Sequence, residues 1–137
     1  MELTKRHRAN LRKHAKYLRS RYDKSQFDMR LFQRSNPVSN RLDNLSANIC
    51  GAVLSVIGLA ALTFPRVAKK HKDWLKFCED IFGIDSYKNR EEWQFLFESR
   101  WVFIDNTITG AADRIDYFLK HGVPDDCWNP EVYRSAS

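Results

Sequence analysis

The sequence predicts a mostly α protein, a compact single-domain bundle of five to six helices around a buried apolar helix at about residues 45–64. Three observations carry this. The stretch 45–64, LSANICGAVLSVIGLAALTF, holds no charged residue, and Asn48 is its one strongly polar side chain. Five Gly and four Pro in 137 residues leave little material for a turn-rich β fold. Elsewhere, apolar residues recur mostly at helical spacing rather than in alternation.

Twenty such residues are long enough to cross a bilayer's hydrocarbon core. A helix apolar all round is buried either in protein or in membrane. We read it as buried in protein, because the C-terminal third supplies large apolar residues that need a surface: Trp74, Phe77, Ile81, Phe82, Trp93, Leu96, Trp101 and Ile104 among them. Gly51, Ala52, Gly58, Ala60 and Ala61 permit close approach in either setting. The alternative is a small single-span membrane protein, flanked by Arg41 and by Arg66, Lys69 and Lys70, with the basic N-terminus on the cytoplasmic side.

In chain order, residues 4–22 read as a helix with Thr4 as its N-cap. Leu11, Ala15, Leu18 and Tyr22 form one narrow apolar stripe. A short helix at about 28–34 ends at Asn36-Pro37, since the residue before proline is pushed out of the α region. Ser39 caps the helix that runs into the apolar stretch and ends at Pro65. A helix at about 68–82 follows, with Gly83 as its left-handed terminator. Residues 91–97 form a short helix with Trp93, Leu96 and Phe97 inward. Residues 99–106 are ambiguous, because Trp101, Phe103 and Asp105 alternate like a strand. The last helix, 110–121, is capped by Thr107 or Thr109 and closed by Gly122 and Pro124. Residues 125–137 read as a polar tail, partly pinned by Trp128 or Tyr133.

The net charge of +6 is unevenly placed. Residues 1–35, the basic N-terminal segment, hold 11 Lys/Arg against 3 Asp/Glu, and the remainder holds 12 against 14. Such asymmetry speaks of partners, not of fold. Cys50, Cys78 and Cys127 are widely spaced and match no zinc or redox motif. Reduced core cysteines and a cytoplasmic setting are expected. The basic start, with no apolar segment directly behind it, does not read as a secretory signal.

The basic helix is the strongest functional candidate. Lys5, Arg6, Arg8, Arg12, Lys13, Lys16, Arg19 and Arg21 could neutralise phosphates or dock on an acidic surface; the plain reading is a solvated face whose stems cover the core. His7 and His14 share a helix face and read as solvated, as does His71. His121 reads as a cation at a helix C-terminus. Asp105-Asn106-Thr107 reads as a turn and cap, and Arg114 and Asp116 as surface pairs. The row Trp93, Phe95, Phe97, Trp101, Phe103 reads as core; exposure of Phe95 or Phe103 would mark a partner surface. No nucleophile, metal cluster or phosphate loop points to an enzyme or a cofactor.

The order of motifs resembles a group of small proteins encoded by bacteriophages and prophages. The pieces are ANLRKHAKYLRS at 9–20, FDMRLF at 27–32, CGAVLSVIGLA at 50–60, FCEDIFGI at 77–84, EEWQFLFESRW at 91–101 and DNTITGAADRIDYFLKHGVPDD at 105–126. The resemblance implies a soluble protein. It also implies a second Cys where this chain has Ser55, a departure that weakens any Cys-pair site. It supplies no established activity, but suggests a phage product that binds and redirects host machinery. The resulting expectation is a protein of the host cytoplasm that inhibits a host protein or nucleoprotein complex, such as a CRISPR effector, by occlusion through the basic helix. The alternatives are a general nucleic-acid-binding protein and the membrane span. A homodimer through residues 11–32 is a further expectation, because the stripe is as narrow as a coiled-coil seam.

Overall fold

The structure, a computed structural model, describes residues 2–20 and 56–134. The expected helix at 28–34, the start of the apolar helix at 45–55, Cys50 and Arg21 lie outside the described residues. Within them the protein is all-α: α1 Lys5–Ser20, α2 Val56–Thr63, α3 Pro65–Ala68, α4 Trp74–Phe82, α5 Arg90–Phe97, a 3₁₀ turn Ser99–Phe103, α6 Ile108–His121 and α7 Pro130–Arg134. No helix among the described residues is long and apolar enough to cross a membrane.

Local chemistry sets most of the boundaries. Thr4 caps α1, its Oγ1 accepting from His7 N at 3.1 Å. Pro65 ends α2 and opens α3, where its missing N–H costs nothing. This corrects the single helix expected over 68–82. The chain breaks after Ala68 and restarts at Trp74, because Asp73 turns extended and accepts from Leu75 N to cap α4. Gly83 ends α4 in the left-handed conformation, as expected. The strand-like alternation at 99–106 is a 3₁₀ turn in which Trp101 goes inward and Phe103 outward. Thr107 caps α6 through Gly110 N, and Gly122 closes it.

The expected tail is pinned by Tyr133, as read, but part of it is helical. Residues 130–134 form a helix, and Tyr133 is buried. Trp101 is the hub that receives it, with Phe95, Trp128 and Tyr133 rings 5.0–6.2 Å away. A second aromatic group joins Phe64, Phe82, Phe97 and Trp93. The buried faces of α2 and α6, rich in Ile, Leu and Ala, belong to the same core. The α2 residues from Val56 to Ala61 are all buried, so this part of the apolar stretch packs in the protein's own core.

Candidate functional site

α1 lies along the molecule with α6 on one flank and α2 and α4 on the other. Leu11, His14, Ala15 and Leu18 form its inward face and are completely or almost completely buried. That part of the stripe is therefore occupied by the chain's own core.

Both inward-facing histidines depart from the solvated role expected of them. His14 is fully buried, with Nε2 2.7 Å from the Val56 carbonyl and Nδ1 2.9 Å from Thr63 Oγ1. A carbonyl can only accept, so Nε2 carries the proton and Nδ1 accepts from the hydroxyl. Burial drives the His14 pKa down to about 4 against the opposing pull of the Val56 carbonyl, so the ring is neutral at pH 7. It fastens α1 to the first and last residues of α2. His7 is half-buried, with Nε2 3.2 Å from the Asp80 carbonyl. His71 also departs from expectation: it pairs with Asp80 Oδ2 at 2.8 Å.

Several cations of the predicted site do structural work. Arg6 donates to the Asp80 carbonyl at 2.9 Å and reaches its carboxylate at 3.3 Å. Arg8 donates to the Leu119 carbonyl at 2.6 Å, and Asn10 to the Ile81 carbonyl at 2.8 Å. Asp80, Ile81 and Leu119 lie in the last turns of α4 and α6, where helix carbonyls lack intrahelical partners. A cation there also meets the negative end of the helix dipole. Arg19 reaches Asp113 at 2.7 Å and Asp116 at 2.5 Å. The Lys13 ammonium lies 5.2 Å from the centre of the Phe64 ring.

What remains is an outward stripe. Lys5, Arg12 and Lys16 share the face opposite Leu11 and His14, and all three are exposed. None has an ion pair among the described residues. The eight predicted site residues therefore divide into three spent on the protein itself (Arg6, Arg8, Arg19), one seated on a ring (Lys13), three facing solvent, and Arg21 outside the described residues.

A buried ionic cluster where α6 meets α7 was not expected. Arg114 was read as a surface residue but is fully buried, its guanidinium carbon 3.9 Å from the centre of the Trp101 ring. Its Nη1 donates to Tyr133 Oη at 3.0 Å and lies 3.6 Å from Asp105 Oδ2. Tyr133 donates to that same oxygen at 2.5 Å, and Thr107 donates to Oδ1 at 2.6 Å. Burial pushes the Asp105 carboxyl up, but the bonds from Thr107 and Tyr133 and the charges of Arg114 and Arg134 outweigh it and hold it below its ordinary value. This is a structural clasp between the α6 cap and α7. The spacing of Asp105, Thr107 and Gly110 signalled only the cap.

Phe95 is buried and Phe103 is 87% exposed. Tyr87 is exposed as well, and single exposed rings are common on a folded surface and carry little alone. Set against known protein families, curated proteins and solved structures, the chain matches none.

Proposed function

We propose that this is a binding protein rather than an enzyme, and that it inhibits or redirects a host nucleic-acid-handling complex by laying the outward face of α1 on it. The carrying observation is the sorting of the α1 cations. Those on the flanks are matched within the chain, while Lys5, Arg12 and Lys16 gather on one face and are exposed. Like charges three and four residues apart on a helix destabilise it by about 0.2–0.5 kcal/mol per pair. A stripe kept at that cost suits a partner that is acidic or bears phosphates. The resemblance to phage-encoded proteins supports a host complex in the cytoplasm as that partner.

Affinity capture from nuclease-treated bacterial lysate tests the reading, with an Arg12→Glu/Lys16→Glu bait in parallel. A discrete complex recovered by the native protein and lost with the reversed bait is the expected result. Equal recovery by both baits would sink the role of α1.

A further inference from the structure

We propose that the contact surface has a second limb, Arg66, Lys69, Lys70, Lys72 and Lys76, and that the two limbs together hold the phosphate backbone of a nucleic-acid duplex. This deepens the reading of α1 as the contact face and rests on it.

The second limb is not a remote patch. At one end, Phe64 lies under Lys13 of α1. At the other, Asp80 receives both His71 and Arg6. Lys76 borders the same open depression as Arg6, His7 and His71. The segment 66–76 therefore runs beside α1 and is tied to it at both ends. All five of its cations are exposed. Among the described residues the nearby acids are largely committed: Asp73 caps α4 and Asp80 holds His71 and Arg6, while Glu79 lines the depression beside Lys76. On the other flank of α1 the balance is opposite, because Asp113 and Asp116 neutralise Arg19. The positive surface thus spreads from α1 toward α3 and not toward α6.

Three features select the occupant. Lysine predominates over arginine in the two limbs. Lysine is a flexible point charge suited to phosphate, and it is depleted from protein–protein interfaces, where arginine and aromatics are enriched. Neither limb offers an exposed aromatic ring, whereas single-strand binders stack bases on such rings. The outward cations of α1 span about 16 Å of helix axis at ~1.5 Å per residue. Duplex DNA offers one charge per ~1.7 Å along that length, with no need for a particular sequence.

The test is fluorescence anisotropy with labelled random-sequence duplex DNA and duplex RNA. It compares the native protein, Lys69→Ala/Lys70→Ala/Lys72→Ala and Arg12→Glu/Lys16→Glu, with circular dichroism as the check on folding. If about five phosphates are engaged, affinity falls roughly 500-fold between 50 and 200 mM salt, a logarithmic slope near −4.5. The triple alanine variant should bind more weakly, with a slope shallower by about 2–3. Duplex binding that is unchanged in the triple variant but lost in the α1 variant would overturn the second limb while leaving α1 as the contact face. No duplex binding at low salt, with capture of a nuclease-resistant complex still dependent on Arg12 and Lys16, would overturn the nucleic-acid partner and assign α1 to an acidic protein surface. Absence of both would overturn this inference and the reading beneath it together.

Discussion

A methyl group at Gly83 would lie 2.4 Å from Nδ1 of His7, and the backbone there has φ +72°. Gly83→Ala therefore combines left-handed strain of about 1–2 kcal/mol with displacement of a ring that α1 uses for docking. At Gly110 the obstacle is Asp105, whose Oδ2 would lie only 2.2 Å from the new carbon. That carboxylate is held by Thr107 and Tyr133 and cannot retreat cheaply. We expect each variant to lose roughly 2–3 kcal/mol in urea unfolding, although alanine is the better helix former at Gly110. His14 adds a pH dependence. Its folded pKa, about 4, lies below the ordinary 6.5, so the unfolded chain binds the extra proton first. Stability is full above about pH 6.5 and falls progressively toward pH 4, by roughly 2–3 kcal/mol at pH 4.5. Urea titrations between pH 7 and 4.5 should show that slope, and His14→Gln should flatten it. The carboxylates held low, Asp80 and Asp105, release their share only below their ordinary range, so the two effects separate.

At the scale of elements, Tyr133 ties α7 to the clasp by serving two partners at once. Tyr133 Oη donates to Asp105 and accepts from Arg114. Tyr133→Phe keeps the ring against Trp101 but leaves both charged groups short of a partner, at an expected cost of about 1–3 kcal/mol. Arg114→Ala strands Asp105 more completely and should cost about 3–5 kcal/mol. Thermal melts of the two variants should rank in that order. The helices themselves were largely legible: Thr4, Pro65, Gly83, Thr107 and Gly122 are local signals, and each marks a boundary. What could not be read was which polar residues turn inward. Arg114, His14 and His71 look like surface residues in a linear sequence. Arg114 and His14 are drawn in by partners further along the chain, such as Val56 for His14 at a separation of 42 residues, and His71 by Asp80, 9 residues away. The break at 69–73 was missed because Asp73 reads as one more polar residue until its cap is seen.

For the molecule as a whole, stability and binding should come apart along α1. Lys5, Arg12 and Lys16 touch solvent, so Arg12→Glu/Lys16→Glu should unfold within about 0.5 kcal/mol of the native protein, or slightly later as repulsion is relieved. Arg8→Glu would place a carboxylate against the Leu119 carbonyl and should cost at least about 2 kcal/mol. Circular dichroism melts of the two variants would separate the face meant for a partner from the face meant for the fold. From sequence alone all eight cations looked alike, because a charge reveals its use only through what stands opposite it.

The Arg8–Leu119 bond joins positions 111 residues apart. At ribosomal speeds of about 5–20 residues per second, α1 is made some 5–20 s before the end of α6 that it will bond to. During that interval the α6 side of α1 has no partner, although the α2 and α4 segments that receive His14 and Asn10 are already made, and the helix is too short and too highly charged to hold its shape firmly alone. α1 thus completes its packing only when α6 arrives. A chain stalled before residue 113 would display Arg8 and Arg19, cations that the finished molecule keeps for itself.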